Sequence, residues 1–301
     1  MKIGIDLGGS HIAIGLIDNN YEIIDEKEYY MNDKGNLTFE EYIINCINEG
    51  VNEILLKNNL KIKEIEQIGI ATPGNPVDGV IKNVVNMGIK IFNIKEEIKK
   101  NFDVEVKVAN DGKCAGLAEK EIGALKKYDD CVFLCVGTGI GGAAFLDGKM
   151  LKPKRNSGFE FGHMIINKNG KECKCGNLGC FEAYCSKRKL KNEILKILNV
   201  TNHVKAEELT KIVKAANNKD VEKLLNEYIE NLEIGIANIV NILEPQAIAI
   251  GGSLSHYEEL ILNKVIKDFQ DGKKLFNKEN PLKIFPAEAG NKAGMIGAAL
   301  L

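Results

Sequence analysis

Between Glu160 and Glu182 the chain gathers Glu160-Phe161-Gly162-His163, then Cys173, Cys175 and Cys180, and closes on Glu182. Three thiols within eight positions, with Gly176 and Gly179 letting the backbone wrap a small ion, lack one ligand of a tetrahedron, and His163 can supply it. A closed Cys₃His shell around zinc leaves no position for an activated water. The ion would instead fold the loop and fix the His163 ring in one orientation. A disulfide or a set of unrelated thiols is the plain alternative, which the spacing and the glycines disfavour.

A second set of residues suits phosphate. Asp6-Leu7-Gly8-Gly9-Ser10 follows an apolar run, and Gly137-Thr138-Gly139-Ile140-Gly141-Gly142 offers hydroxyl and backbone donors. A glycine pair after a strand is more often only a tight turn, but no G-x-x-x-x-G-K-[ST] stretch competes for a nucleotide. Asp111, after Asn110 and the run 104–109, is a carboxylate able to take the proton of an acceptor hydroxyl. Its alternative is a helix cap. A helix dipole there contributes only about 0.3–1 kcal/mol, which would keep Asp111 ionised without setting its basicity.

The elements that must position these groups are legible as periodicity. Residues 2–7 and 11–17 read as strands joined at Gly8-Gly9-Ser10, with a third over 21–30. From Thr38 the apolar positions Phe39, Tyr42, Ile43, Cys46, Ile47, Val51, Ile54 and Leu55 repeat as a helix, and Thr38 with Glu41 forms a capping box. The spacing from Leu224 to Val240 predicts a long core helix with no site on it. Strands at 67–71, 131–136 and 246–250 each run into a glycine-bearing turn, where ligands of open α/β sheets bind. A hairpin over 131–147 echoes that over 2–17, which suggests a duplicated architecture.

With 301 residues, 45% of them hydrophobic, the chain is long enough for about two domains. Forty basic against 42 acidic residues leave a formal charge of −2, so a nucleic-acid partner is not expected and small molecules are. Lys2-Ile3-Gly4-Ile5-Asp6 is too polar for a signal segment, and no apolar run approaches a membrane span. A cytoplasmic protein without a disulfide scaffold is expected, with Cys131 and Cys135 as core thiols. His11, His203 and His256 show no ligand spacing and read as surface or turn residues.

The segment E-x-G-H followed by C-x-C-G-x-x-G-C-x-E resembles the signature of the ROK family of bacterial sugar kinases and sugar-responsive repressors. The likeness extends to Pro73-Gly74…Val77-Asp78-Gly79, where Pro76 is an insertion, to Asn86 and Gly88, and to the small-residue stretch Gly290–Ala299. It implies an α/β, two-lobed actin-like (ribonuclease H-like) ATPase fold with a ligand cleft between lobes and a zinc-binding loop. Residues 1–112 plus 290–301 would form the N-terminal lobe and 113–289 the C-terminal lobe. The resemblance implies His163, Cys173, Cys175 and Cys180 as zinc ligands, and Gly74, Asn86, Asn110, Asp111, Glu160, His163 and Glu182 around the sugar. Asp111 would be the catalytic base. Asp6, Gly8, Gly9, Ser10, Gly137, Thr138, Gly139 and Gly141 would face the phosphates of Mg²⁺-ATP, with Gly251 and Gly252 beside the adenosine.

The implied activity is phosphorylation of a hexose at its 6-hydroxyl, as in glucokinases. N-acetylmannosamine, N-acetylglucosamine and fructose are alternative acceptors, and a homodimer is the implied assembly. A sugar-sensing regulator is the reading from another class. A first strand beginning at Lys2 is expected to leave no room for a DNA-binding helix-turn-helix ahead of it.

Overall fold

The computed structural model describes residues 1–84, 87–153, 159–202 and 204–301. In the first part of the chain the sequences KIGIDL, HIAIGLI and QIGIAT alternate isoleucine with glycine or alanine, and they form β1 (Lys2–Leu7), β2 (His11–Ile17) and β4 (Gln67–Thr72). With β3 (Ile23–Tyr30) and β7 (Glu105–Asn110) they build one sheet in the order β3-β2-β1-β4-β7. Its isoleucine face, including Ile3, Ile5, Ile14, Ile68 and Ile70, packs on α1 (Phe39–Lys57) through Ile43, Ile47, Val51 and Ile54. The expected capping box is present, with Thr38 and Glu41 bonding each other's backbone N–H.

The opposite face carries glycines where a helix packs closely. Register brings Gly15, Gly4 and Gly69 side by side on neighbouring strands, which clears a groove for a helix backbone. That helix, α9 (Ala293–Ala299), comes from the chain's end. A Cβ on Gly69 would stand 1.7 Å from the Ala298 carbonyl oxygen and one on Gly4 2.0 Å from that of Met295. The small residues of Gly290–Ala299 thus permit the close packing expected of them. A two-stranded sheet of β5 (Val80–Val84) and β6 (Ile89–Asn93) and the helix α2 (Ile94–Lys99) complete this region.

The second part repeats the plan. β8 (Cys131–Val136) and β9 (Ile140–Leu146) form the expected hairpin, and with β10 (Lys149–Met150), β11 (Ala247–Gly251) and β12 (Lys283–Pro286) they give the order β10-β9-β8-β11-β12. Each sheet is a three-strand antiparallel meander extended by two strands parallel to the first. Short α4 (Phe181–Cys185), α5 (Lys187–Ile197), α6 (Ala206–Ala216), the long α7 (Lys219–Leu243) and α8 (Asn263–Gln270) supply the helices here. The apolar stripe of α7, among them Leu225, Tyr228, Ile229, Leu232 and Ile236, lies in the core of this sheet.

The chain divides into two compact units. One comprises Met1–Gly123, Ala289–Leu301 and the described residues of Lys152–Gly158, and the other Ala124–Leu151 and Phe159–Glu288. The division falls at Gly123, whereas the expected boundary at 112/113 cuts into the helix α3 (Asp111–Glu121). That helix packs against α9, β7 and β4 and so belongs with the first sheet. The return into the first unit begins at Ala289, whose N–H donates to the buried Glu119 carboxylate of α3 at 2.7 Å. Among the described residues no helix is long and apolar enough to cross a membrane.

Candidate functional site

In the first unit two carboxylates come together at the same end of the sheet. Asp6 is near the end of β1, opposite Ala71 of β4, and Asp111 directly follows β7, whose Asn110 pairs with Thr72. Asp6 is pushed up to about 6, chiefly by desolvation and then by the charge of Asp111, while His11 pulls it down. His11 starts β2 and holds its Nδ1 3.2 Å from the Ser10 hydroxyl oxygen, so it is part of this cluster and not a bland turn residue. The Gly8 N–H donates to the His11 carbonyl at 2.9 Å, which closes the turn and leaves Gly9 and Ser10 exposed. On the other side of Asp6 stands Gly294 of α9, where a Cβ would lie 2.4 Å from the carboxylate.

The cap of α3 is Asn110, not Asp111. The Asn110 Oδ1 accepts from the Lys113 N–H at 3.3 Å, and its Nδ2 donates to the Gly74 carbonyl at 2.9 Å. Asp111 stays exposed and accepts from its neighbour, the Gly112 N–H, at 2.7 Å. Surrounding protein still desolvates it enough to push its carboxyl above the ordinary value, against the lowering effect of the Gly112 and Asn110 hydrogen bonds. A carboxylate with raised basicity that is not needed as a cap is suited to accept a proton. Gly74 takes a positive φ of 78°, and Asp78 and Gly79, both at positive φ, turn the chain between Val77 and Val80. Asn86, expected beside the sugar, lies outside the described residues, as does His203.

In the second unit the Cys/His loop assembles as its spacing foretells. One ligand atom from each of His163, Cys173, Cys175 and Cys180 lies within 4.8 Å of the others. The Cys175 and Cys180 sulfurs are 3.6 Å apart, and the Cys173 sulfur is 3.8 Å from His163 Nδ1. A tetrahedron with metal–sulfur bonds of about 2.3 Å and metal–nitrogen bonds of about 2.0 Å has edges of about 3.5–3.8 Å, so the residues fit a metal ion. All the cysteines are free thiols, which removes the disulfide reading. Gly176 and Gly179 have positive φ of 91° and 80°, and a Cβ on Gly179 would be 1.7 Å from the Asn167 carbonyl oxygen. The Asn177 N–H pulls the Cys175 thiol down to about 7, and burial pushes Cys180 up to about 12.

Glu182 ties this loop to the glycine turn after β8. One carboxylate oxygen accepts from the Cys173 thiol at 3.4 Å and stands 4.0 Å from His163 Nδ1. The other is 2.8 Å from where a Cβ on Gly139 would be and 3.2 Å from that of Gly162, so both glycines admit the carboxylate. Phe181, fully buried, presses its ring on Gly235 of α7, where a Cβ would be 2.3 Å from the ring. A mid-helix glycine costs about 0.5–1 kcal/mol, offset here by the burial of a phenylalanine. The Tyr228 hydroxyl donates to the Cys185 carbonyl at 2.8 Å. The long helix therefore does more than fill the core, since it seats the short helix that carries Glu182. Glu160 is exposed, and its carbonyl accepts from the His163 N–H at 2.9 Å.

The turn Gly137-Thr138-Gly139 closes by a 2.9 Å bond from the Gly137 N–H to the Gly139 carbonyl and leaves Thr138 exposed, while Gly141 has open space around it. Gly251 and Gly252 serve packing too: a Cβ on Gly252 would be 2.8 Å from the Val136 carbonyl oxygen. Ser253 brings its hydroxyl 3.6 Å from the Cβ position of Gly137, so the two glycine turns adjoin. Lys187, which sequence reasoning passes over, holds the first of them: its N–H donates to the Gly137 carbonyl at 2.9 Å. Nothing in its local sequence signals this contact.

The chain as a whole has counterparts among known proteins. The ROK family matches residues 2–301. The chain is 30% identical over 275 residues to the xylose repressor of Caldicellulosiruptor bescii, covering 87% of this chain and 68% of that protein. The crystal structure of a ROK hexokinase from Thermus thermophilus superposes with a TM-score of 0.81 at 28% identity, over 99% of this chain and 96% of that one. A ROK family glucokinase from Streptomyces griseus, solved with glucose and AMPPNP, gives 0.76 at 26% identity, over 99% and 97%. The fold, the Cys/His cluster and the full-length match agree: the chain belongs to the ROK family.

Proposed function

We propose that the protein transfers the γ-phosphoryl group of Mg²⁺-ATP to the 6-hydroxyl of a hexose. The observation that carries this reading is the state of Asp111. It is exposed, raised in basicity and released from capping by Asn110, as a general base requires. Asp111 takes the proton of the acceptor hydroxyl. Asn110, Gly74, Glu160, His163 and Glu182 hold the sugar, and positioning supplies much of the rate of such transfers. Asp6 serves the metal-bound phosphates, with Gly8, Gly9 and Ser10 beside it. Thr138 and its glycines take the phosphates from the second unit, and Gly251 and Gly252 the adenosine.

Zinc is the ion that a Cys₃His set selects, and its closed shell supplies structure and no reactive water. His163 turns Nδ1 toward Cys173, which leaves Nε2 for a sugar hydroxyl. Likeness to a glucokinase solved with glucose supports glucose as the first acceptor to test. N-acetylmannosamine, N-acetylglucosamine and fructose are the others.

Likeness to a xylose repressor favours a second reading, a sugar-responsive regulator. A hexose panel with ATP in a coupled ADP assay separates the two. We expect ADP release only with a sugar bearing a free 6-hydroxyl, and binding without turnover for its 6-deoxy analogue. No turnover with any hexose, together with sequence-preferring binding of a DNA duplex, would replace the kinase by the regulator.

A further inference from the structure

We propose that Glu233 and Asp268 share one proton and form a pH-sensitive latch that holds α8 against α7. Both residues are only 5% exposed, Glu233 on α7 and Asp268 on α8, and their carboxyl groups lie within hydrogen-bonding reach of each other. An ionised carboxylate can only accept, so a bond between two of them needs a proton on one. Their partners decide which one carries it. Lys273 donates to Asp268 Oδ1 at 2.7 Å and Lys264 to Oδ2 at 3.2 Å, which keeps Asp268 ionised. Among the described residues Glu233 Oε2 has Lys274 at 3.9 Å, shared with Glu230 at the same distance, and the buried Oε1 finds no donor. The proton therefore sits on Glu233, whose O–H donates to the Asp268 carboxylate.

Desolvation, and after it the Asp268 carboxyl, push Glu233 up to about 7, with Lys274 and Lys264 pulling the other way. Burial also works on Asp268, but the Lys273, Glu233 and Lys264 hydrogen bonds hold it down at about 2. Further charges at the junction are Glu230 on α7 and Asp271 beyond α8, which acts on Lys273. Of the elements packed on α8, the π-helical turn Glu258–Leu262 has Glu259 paired with Lys214, and β12 has Lys283 over the Tyr128 ring. On α4 and α5, also packed on α7, Glu182 reaches Cys173 and Lys189 the Ala183 carbonyl. Because Glu233 is raised, its contribution is full below the ordinary 4.5 and is lost as pH rises through about 7. Asp268 is lowered, so its contribution is present above 3.8 and is lost only as pH falls through about 2. The junction is thus tightest in mild acid and loosens toward alkaline pH. Two residues on, Gly235 seats Phe181, so the latch and the seat of the helix carrying Glu182 share one stretch of α7.

Carboxyl ¹³C shifts of the full chain with labelled glutamate, followed against pH, test the shared proton. One glutamate signal should titrate at about 7 and be missing from Glu233→Gln. In Asp268→Asn that signal should move down, because the neighbouring negative charge is gone. Hydrogen exchange tests the latch itself. Glutamine keeps an N–H for Asp268 and cannot ionise, so the protection of the α8 amides in wild type, relative to Glu233→Gln, should fall about ten- to a hundredfold between about pH 5.5 and pH 8. Should Glu233→Gln fail to fold, the wild-type titration and its shift in Asp268→Asn still decide the sharing. No glutamate titrating above about 6 overturns the proposal. A signal that Asp268→Asn leaves in place overturns it too, since burial alone would then raise Glu233. Equal pH dependence of α8 protection in wild type and Glu233→Gln overturns the latch.

Discussion

The two sheets share one strand order, yet their candidate residues are held by different means. In the first unit the positions are set by backbone register: Asp6 is the penultimate residue of β1, Asn110 ends β7, and Asp111 starts α3 under an asparagine cap. In the second they sit on loops. Glu182 is placed by a phenylalanine seated on Gly235, and His163 by a cluster of thiols that a metal ion would close. A repeated architecture can therefore carry rigid strand-end groups in one copy and ligand-organised loops in the other. The second kind should fail first when its organiser is removed.

The largest effect expected from this contrast follows removal of the metal. Purified protein should hold one zinc per chain by elemental analysis. Cys180→Ser should abolish it and cost several kcal/mol, a fraction of the about 10–16 kcal/mol that zinc contributes in zinc-finger peptides. Hydrogen exchange should then show lost protection over 163–182 with the β1 and β4 amides unchanged. Equal loss in both units would break the comparison.

A smaller effect of opposite sign is expected in the first unit. The Asp6 carboxyl titrates at about 6 in the fold against an ordinary 3.8. Below about pH 4 its contribution is fully retained, and stability falls as pH rises through the window between these values. At neutral pH the ionised form costs about 3 kcal/mol. Asp6→Asn should recover part of that, raising Tm by a few degrees at pH 7 and by little at pH 4, while ATP turnover is lost. A variant with lower Tm at pH 7 would show that Asp6 is a stabilising group and not a strained functional one.

How much of this was legible in the sequence depends on the range of the interactions. The hairpins, the strand 131–136 and the Thr38–Glu41 box are written in neighbouring residues, and the structure reproduces them. The Cys/His spacing foretold its cluster because all four ligands fall within 18 positions. By contrast, Gly4, Gly15 and Gly69 become a groove only once register aligns them, and Gly235 has meaning only when Phe181 reaches it. Asn110 and Asp111 are both good capping residues, and the choice between them depends on where β7 ends against β4. The boundary at Gly123 likewise follows from the packing of α3 on α9, which no local pattern announces.

Whether Asp111 accepts the proton of a sugar hydroxyl is decided by the steady-state kinetics of Asp111→Asn. Asparagine keeps the shape of the side chain and removes the acceptor. With saturating hexose and ATP, kcat should fall by about 10²–10⁴, or roughly 3–5 kcal/mol of barrier, with a much smaller change in sugar KM. Turnover within about threefold of wild type would leave Asp111 without a role in the chemistry.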